Sequence, residues 1–338
     1  MTTSSFNWNV YLKNYPDLGS MDQLSALKHY KKFGKSEGRT DKCKDELDTV
    51  IISGEKIQLQ CDYFIGTRED ISFNPLIQLE VTQFPDKWID LMNYKNKNYK
   101  NKNIPLKNNL KIFCYTWILE NWLSMLIDIF SKIDQPFELY FHNSDGNFLP
   151  SHYTILKELS CIKKIYAQNN TVLTVFDEIN PVLQVVTLPI GQANSQWIHG
   201  NSQILLESIN NPVQKENHIY LNFSITHPSR IACKRSLMGK GIPWIEDKKY
   251  PDYIKTLATY KFCICVEGNG LDTHRFWECL YLGVLPICIK NEWTDVVKDK
   301  FPMILLDSWE DLNPKLLREI VINQSLNING ILNLNTYI

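Results

Sequence analysis

One short stretch holds Glu267, Gly268, Asn269, Gly270, Asp272, Thr273, His274, Arg275 and Glu278 between two apolar runs, 262–266 and 284–289. Two glycines let a backbone come close to a ligand, and the free N–H groups that open a helix carry partial positive charge. Arg275 falls in that first turn, where a cation opposes the helix dipole unless something negative lies in front of it. A diphosphate suits the pattern; the competing reading pairs Arg275 with Asp272 or Glu278 on its own helix. Glu267 closes a buried strand, so its carboxylate must be paired or bound. Gly268 and Gly270 form a G-x-G without the third glycine of a dinucleotide fingerprint, which argues against hydride chemistry.

A second anion cradle is written in SITHPSR, 224–230, where a strand, a Ser/Thr-rich turn and a helix start bring Arg230 forward. Lys234 lies one turn further on, as a phosphate contact or as a solvated helix lysine. Proton-accepting groups come from elsewhere. HNSDGN, 142–147, places His142 and Asp145 in a loop after a strand, and IGQANSQWIHGN, 190–201, carries His199. Asp145 is the first choice for a base, because a carboxylate is ionised at pH 7, with His142 to orient it and His199 as the alternative. Asp145 in a simple Asx turn with Gly146 is the structural reading of the same residues.

Such residues need elements to hold them. Tyr260 to Lys290 spells strand, loop, helix, strand, a βαβ unit whose loop lies at the carboxyl edge of a parallel sheet. Upstream, 110–117, 137–142, 162–167, 185–189 and 218–223 read as strands, and 119–133, 155–159 and 231–238 as helices. Residues 48–80 alternate apolar and polar positions in VIISGEKIQLQCDYFIG, which predicts a strand pair or an irregular layer ahead of the first domain. The Asn/Lys-biased tract 93–109 cannot pack and reads as a loop or linker. Residues 6–39 read as a small helical hairpin around a turn at 16–20, and 316–322 as a helix before an Asn-rich tail.

At 338 residues, 44% hydrophobic, the chain can bury one large core or two medium ones. Its 36 Lys+Arg against 37 Asp+Glu argue against an electrostatic grip on nucleic acid or anionic membrane. Nine cysteines, scattered and without a C-x-x-C pair, read as reduced core residues. The N-terminus lacks the basic and apolar regions of a signal peptide, and the most apolar stretch, 117–130, is broken by Glu120, Asn121 and Asp128. A cytoplasmic chain with no membrane span is expected.

EGNGLDTHRFWECLYLGVLPI resembles the donor-binding motif of exostosin-like glycosyltransferases and of related bacterial and large-virus sugar transferases. It is also similar in layout to α-1,3-fucosyltransferases. Tyr260, Lys261, Phe262, Glu267, Asn269, Asp272 and Thr273 fit that layout, Arg275 stands where its lysine would be, and His274 departs from it. The glutamate that holds the ribose there has no counterpart, and Glu278 is its substitute. Arg230 matches the arginine that meets the donor phosphates. HNSD, AQN and PIG-AN-W-HGN extend the resemblance over roughly 110–306, and 6–39 is similar to a short module attached to such enzymes.

The resemblance implies an α/β protein of GT-B type, two Rossmann-like domains facing a cleft, with a small N-terminal helical module. It divides the chain into that module at 1–41, a strand and linker segment at 42–109, an acceptor-side domain at 110–212 and a nucleotide-sugar domain at 213–338. It implies an inverting, metal-independent glycosyltransferase that takes a nucleotide sugar as substrate and a glycan or glycoconjugate as acceptor, with no cofactor and a possible protein partner at 6–39. Two alternatives keep the fold: an inactive sugar- or nucleotide-binding scaffold, and another nucleotide-sugar or phosphorylase-like enzyme, the latter disfavoured because no pyridoxal lysine motif is evident.

Overall fold

A computed structural model describes residues 8, 11–12, 15, 18–19, 21–34, 51–95, 104, 106–173 and 183–319. Most of the Asn/Lys tract and the tail beyond 319 lie outside these residues. So does much of the 6–39 segment. Within it, a helix at Gln23–His29 is capped by Asp22, whose carboxylate accepts from the Ser25 N–H at 2.7 Å. The buried Tyr11 hydroxyl meets His29 Nδ1 at 2.9 Å.

Two parallel sheets organise the described chain. The first has six strands, β1 (Tyr63–Gly66), β2 (Trp88–Asp90), β3 (Leu110–Tyr115), β4 (Phe137–His142), β5 (Ile162–Ala167) and β6 (Gln184–Thr187), ordered β2-β1-β3-β4-β5-β6. The second has β7 (Asn217–Tyr220), β8 (Tyr260–Ile264), β9 (Leu285–Ile289) and β10 (Ile304–Leu306), ordered β10-β9-β8-β7. Every neighbouring pair is parallel. Helical crossovers cover such sheets, so their central strands read as unbroken apolar runs rather than alternations. In β4 this holds apart from the half-buried Glu138, with Phe137, Leu139, Tyr140 and Phe141 all buried.

Residues 51–95 depart from the strand-pair expectation. The stretch Gly54–Leu59 is a helix, and helices at Arg68–Phe73 and Pro75–Gln83 flank β1 and lead to β2. Both strands belong to the first sheet rather than to a layer ahead of it, with β2 at the edge and β1 inside it, since β1 pairs with β2 and, through Tyr63–Ile112 and Phe64–Phe113, with β3. What looked like alternation is a helix with both faces covered: Glu55, Lys56, Ile57 and Gln58 are all buried. Thr67 ends β1 and starts the next helix with a capping box to Asp70.

The crossing to the second core comes earlier than residue 213. Helix Ser202–Asn210 packs Leu205 with Ile254, Leu257 and Trp277 in the core under the second sheet. Even Ile51 joins that core while Ile52 belongs to the first. Among the described residues every cysteine is unpaired and all but Cys161 are buried, and no helix is long and apolar enough to cross a membrane.

Candidate functional site

The carboxyl ends of both sheets meet around a cavity of about 500 Å³. Its wall combines Asp145 and His199 on the first side with Arg230, the 268–275 loop and Glu278 on the second. Strand ends shape the first side: Asn143, just past β4, and Asn169, just past β5, both adopt left-handed backbone, φ 58° and 48°, which asparagine tolerates better than most residues. Asn169 then reaches across, its Oδ1 accepting from the Asp272 N–H at 2.8 Å and its amide packing where a Cβ on Gly270 would fall, 2.8 Å away. That close approach explains the glycine.

Arg230 opens the helix Pro228–Gly239 and is held by main chain. Its Nε donates to the Glu267 carbonyl at 2.8 Å, and its Nη1 to the Ser224 carbonyl at 2.8 Å and the Thr226 hydroxyl at 3.0 Å. It clamps the ends of β7 and β8 together without losing charge to a carboxylate. Arg275, in the first turn of His274–Tyr281, donates Nε to the Tyr253 hydroxyl at 3.2 Å and lies over the Tyr253 and Tyr220 rings at 5.2 and 5.8 Å. Its Nη1 is buried and has no hydrogen-bond partner among the described residues. The intrahelical pairing does not form: Glu278 accepts instead from the Tyr253 hydroxyl at 2.7 Å, and Asp272 from Trp277 Nε1 at 2.7 Å and the Ile190 N–H at 2.8 Å. Burial, and then the neighbouring charge of Arg275, lower the pKa of Arg230. Two guanidinium groups therefore repel each other across one cavity, and an anion between them relieves that repulsion.

Other candidates are placed differently. Lys234 does not line the cavity; its Nζ sits 3.7 Å over the Trp244 ring. Glu267 lines a separate hollow of about 330 Å³ on the far side of its loop, and only its carbonyl touches Arg230. Asp272 is 3% exposed and acts as a pin between the halves; burial pushes its pKa up to about 8 against the pull of the Ile190 and Trp277 N–H groups. Thr273 precedes the helix without a side-chain cap bond and lines both hollows. Asn269 donates to Asp145 Oδ2 at 3.2 Å across the gap. Glu278 lines the cavity, and burial raises its pKa.

His142 cannot orient Asp145. Its Nε2 meets the Pro189 carbonyl at 3.0 Å and its Nδ1 accepts from the Asn143 N–H at 2.7 Å, so both ring nitrogens are used by backbone. Burial lowers its pKa to about 4. His274 Nδ1 donates to the Gly191 carbonyl at 2.8 Å, which leaves Nε2 unpartnered, and burial again lowers its pKa to about 4. The ring of His199 makes no hydrogen bond among the described residues and lies 6.1 Å from that of His274, with its pKa lowered by burial. Asp145 is exposed to the cavity.

Several site residues carried no sequence expectation. Tyr250 and Tyr253 project from the helix Tyr250–Ala258, and Tyr220 ends β7. Their signal was present, since Tyr250, Tyr253, Ile254 and Leu257 recur at helical spacing. Of potential metal ligands, Cys263, Cys265 and Cys279 bring their sulfurs within 4.8 Å of one another inside the second core. Burial raises all three thiol pKa values, so at neutral pH the cluster is protonated.

No protein-family model matches this sequence, and no curated protein matches it.

Proposed function

We propose that the chain is a glycosyltransferase of GT-B type that moves a sugar from a nucleotide diphosphate sugar to a hydroxyl of a glycan or glycoconjugate. One observation carries the reading: Arg230 and Arg275 face a single cavity between the carboxyl edges of two parallel sheets, and among the described residues neither forms an ion pair with a carboxylate. The helix N-terminus at Thr273–Arg275 adds its own partial charge to the same wall. A diphosphate seated there leaves its sugar toward Asp145 and His199. During transfer the leaving diphosphate gains charge, which fixed guanidinium groups stabilise without reorganising. Asp145, steadied by Asn269, takes the proton of the incoming hydroxyl in a single inverting displacement. The chain has no Asp-x-Asp pair, and on this reading the arginines do the work a metal does elsewhere.

Calorimetry with UDP, GDP and pyrophosphate tests the site. Arg230→Ala and Arg275→Ala should each weaken binding by about 1.5–3 kcal/mol, the range for hydrogen bonds to charged groups. Unchanged affinity in both variants overturns the diphosphate site. Release of free nucleotide from UDP- or GDP-sugars in the presence of a glycan separates a transferase from a scaffold that only binds.

A further inference from the structure

A second hollow of about 280 Å³ opens beside the cation-lined cavity and shares Asp145, Ile190 and His274 with it. Its chemistry is different. Among the described residues no lysine or arginine lines it, and its carboxylates are those of Asp70 and Asp145. Most of the rest of its polar wall is carboxamide, from Asn74, Asn143, Asn194, Gln168 and Gln196, together with Ser144, Tyr115 and the imidazoles of His142 and His274. Several of these are locked before any ligand arrives: Asn74 Nδ2 donates to the buried Glu55 at 2.9 Å and to Gln196 Oε1 at 2.9 Å, and Asn194 Nδ2 to Asn143 Oδ1 at 3.1 Å. Others keep capacity facing the hollow. The amide N–H groups of Gln196, Asp145 Oδ1 and His274 Nε2 have no partner among the described residues.

The rim is aromatic. Phe73 and Trp197 stand 60% and 46% exposed, edge to face with centroids 5.4 Å apart. They come from segments far apart in sequence, so this exposed pair is made by the fold at the mouth of a polar hollow, where large apolar faces otherwise meet water. A ligand that satisfies such a site needs a C–H face for the rings and hydroxyls that both donate and accept for the amides. It must also be without negative charge, since the charged groups on the described wall are carboxylates. A sugar ring has these properties.

We infer that this hollow binds an uncharged carbohydrate, stacked on Phe73 and Trp197, and excludes phosphorylated and carboxylated sugars. Its role as acceptor rests on the transferase reading; its binding does not. The shared wall then presents one acceptor hydroxyl to the donor. The hydroxyl oxygen forms the bond to the anomeric carbon, the bond to the diphosphate breaks with its electron pair leaving on the diphosphate, and the hydroxyl proton passes to Asp145.

Ligand-observed NMR with lactose, maltose and chitobiose, set against glucose 6-phosphate and glucuronic acid, reads the hollow directly. Pyrophosphate calorimetry on the same proteins reads the neighbouring cavity. Neutral saccharides should bind, the charged ones should not, and Phe73→Ala and Trp197→Ala, both exposed enough to fold, should each weaken saccharide binding about tenfold. Pyrophosphate affinity should stay unchanged in both variants. Stronger binding of the charged sugars, equal binding of neutral sugars by wild type and both variants, or no neutral sugar bound overturns the inference. If neutral sugars bind and pyrophosphate does not, the transferase reading falls and the carbohydrate site stands; if only pyrophosphate binds, the inference falls alone.

Discussion

Arg230 and Lys234 lie one turn apart on one helix, yet only the arginine reaches the cavity. A guanidinium can donate in several directions at once, so Arg230 holds two main-chain carbonyls and the Thr226 hydroxyl and still presents charge. Lys234 instead covers Trp244. Lys234→Ala should therefore leave pyrophosphate affinity unchanged in calorimetry while lowering unfolding stability by about 0.5–2 kcal/mol, the worth of a cation–π contact. Residue types announced an anion site; their partners did not, because bonds to backbone carbonyls leave no trace in side-chain spacing. His142 shows the same limit. Its position after a strand suggested chemistry, and its two nitrogens turn out to serve Pro189 and Asn143. The choice of base therefore lies between groups that face the cavity. Asp145→Asn should keep donor affinity while lowering kcat about a hundredfold or more. A surviving rate in that variant with a collapse in His199→Ala moves the role to His199.

At the scale of elements, strands were the legible part. The bounds of β4 and β5 are those read from the sequence, because each carries a buried apolar run, 139–141 and 165–167, even though Glu138, Lys163 and Lys164 interrupt the strands. Residues 54–59 failed for the converse reason: a helix whose polar side chains are also buried loses the 3.6-residue signature. Glu55 is the cause, because its carboxylate accepts from Asn74 and Ser195 and its N–H donates to Asn194 Oδ1, rather than meeting water. The segment before that helix docks on Gly191, which adopts φ 66° and whose missing Cβ leaves room for the Ile52 carbonyl. Gln192 N–H bonds that carbonyl at 2.8 Å. Gly191→Ala combines left-handed strain with a backbone clash, and should cost about 2 kcal/mol or more in denaturant unfolding. It should also disturb the His274 bond to the Gly191 carbonyl, so a variant of full stability would show that the contact is dispensable.

The two halves are joined at the level of the whole molecule by a few buried polar groups, and these make its stability depend on pH. Asp272 Oδ2 accepts from Ile190, Asn169 Oδ1 from Asp272, His274 bonds the Gly191 carbonyl, and the Tyr281 hydroxyl accepts from Ile52. None of this was readable from the sequence, which showed the residues but not that loops far apart in sequence meet. Burial holds His142 and His274 at about 4, below the ordinary 6.5, so the unfolded chain takes up protons that the folded chain refuses. Their contribution is complete above pH 6.5 and is lost as pH falls toward 4. Asp272 runs the other way: with its pKa pushed up from 3.8 to about 8, the folded chain keeps a proton the unfolded chain has lost, and its contribution falls as pH rises toward 8. Between 6.5 and 4 His142 and His274, joined by His199 and His152, whose pKa values burial also lowers, oppose Asp272 and Glu278, whose pKa values burial raises, and the imidazoles outnumber the carboxyls, so stability falls as pH falls. Above 6.5 the buried carboxyls Asp272 and Glu278 set the trend, and stability falls as pH rises. Urea unfolding across this range should show greatest stability near pH 6.5, declining on both sides. A curve that keeps rising to pH 8 would mean that Asp272 is ionised in the folded chain, with its N–H partners outweighing its burial.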